Sequence, residues 1–388
     1  MRVLVMDWPA YGLKDMIEAM QRQHISVITY QFDHSKNRDD ELFVYAFENA
    51  LAQVKVDFVF SFNFFPVISH VCNRFHVKYI SWVYDSPQTA LYSCAIENPC
   101  NYVFLFDRYT YDELHAKGVG TVYHLPLAVN VQRCEGMIRQ VDEERRSRFG
   151  ADVSFVGSLY DEKVDLFAGT EQMSDYTKGY LEAILEAQLK VQGYFFLEEL
   201  LQGKVLEELL KRYPYSIENT LLSSAYVPAH YILGRKLANM ERTRILEQIS
   251  KNFSIKLYTH HETPWLTNVR NMGKVDYYQE MPYVFSCSKI NLNISLRSIR
   301  SGIPQRALDI MGMEGFLLSN YQQELCEYFV PDKEFVYYGD QEECTEKVKY
   351  YLNHEEERGK IAKQGKSKVA QSFTYSNRLE QMLEKLMV

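Results

Sequence analysis

The chain has 388 residues, which suits two domains of common size better than one hydrophobic core. Its 43 basic and 51 acidic residues give a formal charge of −8 without a basic tail, which argues against nucleic acid as a main partner. Seven cysteines without zinc-site spacing, no signal-peptide pattern and no apolar run of about 20 residues predict a reduced, cytoplasmic protein with no structural metal and no transmembrane segment.

The first 150 residues alternate short apolar runs with helical patterns. Strands are predicted at 3–6, 25–30, 58–61, 79–83, 102–106 and 121–123, with a helical pattern up to about residue 23 and a helix at about 41–54. Strands that alternate with helices form a mainly parallel sheet covered on both faces. Residues 1–150 are therefore predicted to form one Rossmann-like domain.

Polar residues stand at the carboxyl ends of these predicted strands. They are Asp7, Asn63, Asp85, Ser86, Asp107 and His124. In the run W-V-Y-D-S-P, Asp85 directly follows an apolar strand and precedes a Pro-led turn. Its carboxylate either caps the next helix or serves a site as a general base, and the sequence leaves both interpretations open.

A charge-rich linker is predicted at about 130–151, and the strand at 152–158, which ends in Gly157 and Ser158, begins a second domain. From about 161 to 240, leucine and isoleucine recur at helical spacing, which predicts a helical insertion. Such an insertion could form a homodimer interface, cover a cleft or dock a partner, and the simplest interpretation is that it packs on its own domain.

Regular βα order resumes at the strand 254–258, whose polar end carries Thr259 and His260. The neighbouring His260 and His261 point in different directions, and no third ligand has matching spacing, so a zinc site is rejected. A contact with a nucleotide base is the preferred interpretation of this strand end.

The segment 288–320 predicts one βαβ unit with a cationic loop. Apolar residues alternate with polar ones, including Asn293, up to residue 296; a polar loop, a helix at 306–313 and an apolar strand at 315–319 follow. The loop and the helix start carry Arg297, Arg300, Gly302, Ile303, Pro304 and Arg306. Amide groups at a helix start attract anions, so we expect a phosphate or diphosphate here, with Asp309 accepting hydrogen bonds from sugar hydroxyls. The alternative is that the arginines form surface ion pairs.

Several runs carry a resemblance to a known family. They are Q-R-A-L-D-I-M-G-M-E-G-F-L-L-S, F-V-P-D-K-E-F-V-Y-Y, H-E-E-E-R-G-K-I-A-K-Q-G, Y-I-S-W-V-Y-D-S-P and N-Y-V-F-L-F-D. Outside roughly 160–240 the chain resembles GT-B glycosyltransferases, most of all the group related to the spore-maturation protein CgeB. This resemblance implies an α/β fold of two Rossmann-like domains facing a cleft: an acceptor domain at 1–150 and a nucleotide-sugar domain at 151–375, with the last helix, 376–388, packing back on the first domain.

The resemblance also implies site residues. The run G-S-L-Y-D-E-K resembles a family turn that grips the donor diphosphate; Lys163 matches its lysine, whereas Ser158 replaces its arginine. The implied donor-binding set is Gly157, Ser158, Lys163, Thr259, His260, Asn293, Arg297, Arg300, Gly302, Ile303, Pro304, Arg306 and Asp309, and the catalytic candidates are Asp85, Arg306 and Asp309. Ser301 stands where many retaining members carry an acid, and Glu314 stands where a glycine is usual.

The predicted function is a glycosyltransferase (EC 2.4) that needs neither metal nor cofactor. It would move a sugar from a UDP-sugar or another nucleoside-diphosphate sugar to a hydroxyl of a carbohydrate, protein or small-molecule acceptor, using cationic side chains to stabilise the leaving diphosphate. One alternative is a GT-B protein that has lost turnover and binds a glycan or a nucleotide sugar. Another is an epimerase or a kinase, although the sequence carries neither a P-loop nor a G-x-G-x-x-G motif.

Overall fold

The computed structural model describes residues 1–33, 40–160, 173–215 and 221–387. The chain divides into two units. The first comprises Met1–Val129, Ile217–Leu222 and Ser372–Val388, and the second comprises Asn130–Ser216 and Ser223–Gln371. The second unit therefore begins about twenty residues before the expected position 151, because two helices within 130–150 pack on a helix of the second unit.

The first unit is built on a parallel sheet of six described strands. They are β1 Arg2–Asp7, β2 Ser26–Gln31, β3 Phe58–Phe62, β4 Lys78–Val83, β5 Asn101–Leu105 and β6 Val122–His124, in the order β2-β1-β3-β4-β5-β6. Every residue of β3 is buried, as expected for a strand covered on both faces. The predicted alternation of strands and helices is confirmed for this unit.

Helices cover the sheet of the first unit. They are α1 Leu13–Arg22, α2 Glu41–Gln53, α3 Pro66–Arg74, α4 Arg108–Ala116 and, from the end of the chain, α16 Tyr375–Met387. Helix α16 packs on α1, where Gly12 has a φ of 80° and a Cβ added to it would lie 2.2 Å from the Tyr375 hydroxyl. Only glycine suits both the backbone angle and the close approach, so Gly12 allows α16 to pack against α1.

The second unit contains another parallel sheet of six described strands. They are β7 Val153–Val156, β8 Ile255–Tyr258, β9 Val269–Asn271, β10 Ile290–Asn293, β11 Leu317–Asn320 and β12 Val336–Tyr338, in the order β12-β11-β10-β7-β8-β9. Strand β10 ends at Asn293, three residues before the predicted end of the alternating pattern.

The helices described in this unit fall into three groups along the chain. Before β7 lie α5 Val131–Ile138 and α6 Glu143–Phe149. Between β7 and β8 lie α7 Asp175–Leu189, α8 Leu197–Leu200, α9 Gly203–Arg212, a π-helix at Pro228–Leu233 and α10 Gly234–Ser250. After β9 lie α11 Met281–Cys287, α12 Gln305–Gly312, α13 Gln323–Tyr328, α14 Gln341–Asn353 and α15 Glu355–Ser372. Residues 161–172 and 216–220 of the expected insertion lie outside the described residues.

Each sheet has a point where its strand order changes direction. In the first unit this point lies between β1 and β3, and in the second between β7 and β10. Ligands of open parallel sheets bind outside the carboxyl ends of the strands at such points. In the second unit this rule places the candidate site at Gly157, which follows β7, and at Asn293, which ends β10.

Candidate functional site

Strands β7 and β10 are hydrogen-bonded neighbours, with Phe155 opposite Leu292. Gly157 directly follows β7, and Asn293 is the last residue of β10. Two guanidinium groups meet beside these strand ends, one from α12 and one from α10.

Arg306 lies in the first turn of α12. Its Nη1 donates to the side-chain oxygen of Asn293 at 3.1 Å, and its guanidinium lies 5.0 Å from the ring centre of Phe155. Gly157 has a φ of 152°, and a Cβ added to it would lie 2.8 Å from Nη2 of Arg306. The glycine therefore makes the room that the guanidinium occupies.

Arg242 in α10 supplies the second guanidinium. Its Nε and Nη2 donate to the backbone oxygen of Ile294 at 3.1 and 2.6 Å, and its Nη1 donates to that of Ser158. The group stacks over Phe155 and Tyr160, and only 2% of the side chain is exposed. Backbone carbonyls orient this cation, but they do not neutralise its charge.

The guanidinium groups of Arg242 and Arg306 lie close enough for their charges to interact, in a region with little access to water. Burial, and after it the neighbouring charge of Arg242, lower the pKa of Arg306 to about 9, against smaller opposing effects that include Asp309. Among the residues that the structure describes, no ion pair joins either guanidinium to a carboxylate. A positive charge that is buried without a counterion is costly to the free protein, and an anion bound here would compensate it.

Helix α12 adds its amino end to the same place. Its N-cap residue, Pro304, makes no side-chain hydrogen bond to the first turn, in contrast to the Asp and Asn caps of other helices in this protein. One turn on, Asp309 is 6% exposed and accepts hydrogen bonds from Gln305 Nε2 at 3.0 Å and from the Tyr277 hydroxyl at 3.3 Å. The helix thus places anion-binding amides and a carboxylate acceptor within one turn of each other.

The end of β8 lies beside the end of β7, because the Gly157 amide donates to the backbone oxygen of Tyr258 at 3.0 Å. Thr259 is 3% exposed, and its hydroxyl has no hydrogen-bond partner within the described ranges. His260 is exposed, and its ring lies 3.7 Å from that of His261. Thr259 thus joins the group formed by Gly157, Ser158, Asn293, Arg306 and Asp309.

Two expected cations lie in other interactions. Arg297 is 7% exposed and is paired with Glu241: its Nε and Nη2 donate to the carboxylate at 3.0 and 2.6 Å, while Nη1 donates to Val191 O and to the Gln192 side chain. The expectation that Arg297 strengthens the positive potential of the loop therefore fails, because the carboxylate neutralises its charge.

Arg300 lies in the electrostatic surroundings of Glu198. Burial raises the pKa of Glu198, but hydrogen bonds from His230 and Ser223 and the charges of His230 and Arg300 outweigh this effect and lower the pKa overall. Lys163, the remaining expected cation, lies outside the described residues.

The loop before α12 is held inside the unit. Gly302 and Ile303 are buried, and the Ser301 hydroxyl donates to Glu324 of α13 at 2.8 Å. Glu314 has a φ of 57° and pairs with Lys366 of α15 at 3.0 Å. Ser301, which stands where many retaining members carry an acid, is thus hydrogen-bonded to the carboxylate of Glu324.

In the first unit, Asp85 follows β4 and is exposed. Its carboxylate accepts a hydrogen bond of 2.6 Å from the side-chain amide of Asn63, which follows β3. No helix N-cap role is found for Asp85 in the described ranges, whereas Asp107 has one, capping α4 through the amide of Tyr109.

Sequence reasoning missed Arg242. The buried face of α10 includes Leu237, Ala238, Ile245, Leu246 and Ile249 at spacings of three and four, and Glu241 and Arg242 stand in the same stripe. Two adjacent charged residues on an apolar helical stripe require partners, and this pattern was the available signal.

Neither a metal-binding group nor a membrane-spanning helix is found in the described ranges. No group of three His, Cys, Asp or Glu residues in them could hold a metal ion. None of the helices there is long and apolar enough to cross a bilayer.

The comparisons with known proteins agree with this architecture. Residues 238–384 match the model of a family described as Glycosyl transferase-like. A glycosyltransferase from Rickettsia africae superposes with a TM-score of 0.56 at 10% identity, over 99% of this chain and 97% of that one. Sucrose-phosphate synthase from Thermosynechococcus elongatus gives 0.56 at 10% identity over 100% and 99% of the two chains.

HepE from Anabaena, solved in complex with UDP-glucose, gives a TM-score of 0.54 at 9% identity over 100% of this chain and 99% of that one. Comparison with curated proteins finds no match. The fold is GT-B, two Rossmann-like domains. The partial family match and the shared fold together support the GT-B glycosyltransferase family, while membership of the CgeB-related group stays a prediction.

Proposed function

We propose that this protein is a metal-independent glycosyltransferase that transfers a sugar from a nucleoside-diphosphate sugar, with a UDP-sugar as the first candidate. The observation that supports the proposal is the pair of guanidinium groups at the β7–β10 switch point, from the buried Arg242 and the half-buried Arg306, with which the described residues form no ion pair. A diphosphate has the charge and the number of acceptor oxygens that two guanidinium groups and a helix start recognise.

The reaction breaks the bond between the anomeric carbon of the sugar and an oxygen of the diphosphate. Negative charge develops on that oxygen, and Arg242, Arg306 and the amides at the start of α12 would stabilise it without a metal ion. Asp309 would accept hydrogen bonds from the ribose or sugar hydroxyls, and Thr259 would contact the base. The electron pair leaves with the nucleoside diphosphate.

Asp85 in the first unit would take the proton of the acceptor hydroxyl while the oxygen of that hydroxyl bonds to the anomeric carbon. The acceptor class proposed is a carbohydrate, a protein or a small molecule with a free hydroxyl. The choice of a UDP-sugar is supported by HepE, a protein of the same fold that was solved with UDP and with UDP-glucose.

A panel of UDP-, GDP-, TDP- and CMP-sugars, tested by thermal shift with EDTA present, measures the proposed binding. We expect at least one sugar nucleotide to raise the melting temperature, and we expect Arg306→Ala to abolish the increase. If no nucleotide sugar stabilises the wild-type protein, with or without magnesium, the proposal fails.

The second candidate is a GT-B protein that binds a nucleotide sugar without turnover. It is favoured by Ser301, whose hydroxyl stands where many retaining members carry an acid. Release of UDP from UDP-glucose by the wild-type protein, abolished by Asp309→Asn, would exclude this candidate, whereas binding without release would support it. The proposed homodimer is tested separately by light scattering of the purified protein.

A further inference from the structure

Asn63 has an unusual backbone conformation, and both its backbone amide and its backbone oxygen are hydrogen-bonded. It follows β3 with a φ of 59° and is 3% exposed. Its backbone amide donates to Trp82 O at 2.9 Å, and its backbone oxygen accepts from the Ser61 hydroxyl at 2.7 Å. Asparagine tolerates this left-handed region better than most residues, but the conformation remains uncommon and requires support from its surroundings.

The side chain of Asn63 reaches across to the end of β4. Its oxygen accepts the backbone amides of Tyr84 and Asp85, each at 3.2 Å, and its Nδ2 donates to Oδ2 of Asp85 at 2.6 Å. One amide group therefore fixes both the backbone and the carboxylate of Asp85.

The side-chain amide of Gln88, three residues after Asp85, hydrogen-bonds back to the backbone of Phe64, the residue after Asn63. Gln88 Nε2 donates to the backbone oxygen of Phe64 at 3.0 Å, and the backbone amide of Phe64 donates to the Gln88 side chain at 3.4 Å. On the other side, the ring of Tyr84 lies parallel to that of Trp8, with 6.3 Å between centroids. The chain before and after Asp85 is thus held rigidly.

The bond to the carboxylate itself has no evident packing role. Asp85 is exposed, so its carboxylate does not need this bond to offset burial, and the loop keeps its two backbone contacts to the Asn63 oxygen independently of it. What the Nδ2 donor adds is a fixed direction for the carboxylate. A general base needs this, since its oxygen must lie within hydrogen-bond reach of the proton that it removes.

We infer that Asn63 is the positioning residue of Asp85, holding its carboxylate in the orientation that accepts the proton of the acceptor hydroxyl. This inference rests on the proposed function, in which Asp85 is the base. Asn63 itself does not touch the reacting atoms; it acts through Asp85.

Asn63→Asp tests the inference with little change of shape. Aspartate tolerates a positive φ and keeps the oxygen that accepts the two backbone amides, but it replaces the Nδ2 donor by a charged oxygen facing Asp85. In UDP release from UDP-glucose alone, water accepts the glucosyl group and Asp85 takes the proton of that water. We expect kcat for this reaction to fall about 10- to 100-fold, with KM for UDP-glucose unchanged, because misplacement of a catalytic group affects the chemical step.

The control is His76→Asp, which places an acid at another exposed position with positive φ, 53°, in the same unit. It should leave kcat unchanged. In a double-mutant cycle, Asn63→Asp should cost little in the Asp85→Asn background, because the group it positions is already lost. If Asn63→Asp does not fold, Asn63→Gly, which accepts the same φ, replaces it in the cycle.

The outcomes are distinct. Suppose that the wild-type protein releases UDP. If the folded Asn63 variant keeps wild-type kcat, or if its loss of kcat is the same in the Asp85→Asn background as in the wild type, the positioning role is overturned while the proposed function stands. If Asp85→Asn keeps full activity, the base assignment fails and the inference fails with it. If the wild-type protein releases no UDP from UDP-glucose and no nucleoside diphosphate from the rest of the panel, both are overturned.

Discussion

Replacing Arg306 by methionine separates the two roles that a buried cation has, in binding and in folding. Methionine keeps an unbranched apolar side chain against Phe155 but removes the guanidinium. One donor of Arg306, on Nη1, is used by Asn293, and the described residues take none of the others. We therefore expect Arg306→Met to lose the hydrogen bonds that a diphosphate would accept from this side chain.

The expected loss follows from the strength of such bonds. Hydrogen bonds to charged groups contribute about 1.5–3 kcal/mol, and 1.4 kcal/mol is about a tenfold change in a dissociation constant. UDP affinity should therefore fall about 10- to 150-fold. The upper end applies if Arg306 binds the diphosphate through two parallel N–H groups.

The stability of the free protein should change in the opposite direction. The pKa of Arg306 lies near 9 rather than at its ordinary value, because burial and Arg242 disfavour the charged form. Removing this charge relieves the repulsion, so the melting temperature without ligand should stay the same or rise. A simple folding defect predicts the reverse, a lower melting temperature together with weaker binding.

Isothermal titration with UDP in EDTA measures the affinity, and a thermal scan without ligand measures the stability. Arg244→Met is the matched control, because Arg244 is 43% exposed on the same helix as Arg242 and pairs with Glu186. It should bind UDP as the wild type does. Wild-type affinity in Arg306→Met, at an unchanged melting temperature, would refute the assignment of this cation to the diphosphate.

Three further predictions test the surroundings of the cation pair. Gly157→Ala should weaken UDP binding less than Arg306→Met does, because its Cβ, 2.8 Å from Nη2 of Arg306, would displace the guanidinium without removing its charge; titration measures this, and Gly136→Ala, which meets no atom within 4 Å, should be neutral. UDP affinity should fall more steeply above pH 9 in the wild type than in Arg306→Met, because the wild type loses the charged form of Arg306, whose pKa is lowered to about 9, in addition to the ionisation of the uracil ring that affects both proteins; titrations at several pH values measure the difference. Arg297→Met should lower the free energy of unfolding by about 3–5 kcal/mol in denaturant titrations, because it leaves Glu241 buried and unpaired. Adding Glu241→Leu should recover much of the loss. Unchanged stability in the single variant would contradict a structural role for this pair.

The sequence predicted the path of the chain around the site because that information is local. The alternating residues of β10, the loop through Gly302 and Pro304, and the helix α12 could each be read from a few neighbouring residues. The same reading placed Asn293, Arg306 and Asp309 around one strand end, and the structure brings them together.

The partners of the arginines could not be read in this way. Arg297 meets Glu241, which lies 56 residues earlier in the chain, and no local pattern indicates that contact. Ser158 stands where the family turn carries an arginine, and the guanidinium that reaches the Ser158 backbone comes from Arg242 of α10. Its place in an apolar helical stripe showed that it needed a partner, but only the fold shows where its guanidinium lies.

A crystal structure of the protein soaked with UDP would show whether the two arginines hold the diphosphate. We predict diphosphate oxygens within hydrogen-bond distance of both Arg242 and Arg306 and of the first-turn amides of α12, beside Gly157. UDP bound with its diphosphate away from both guanidinium groups would contradict the account.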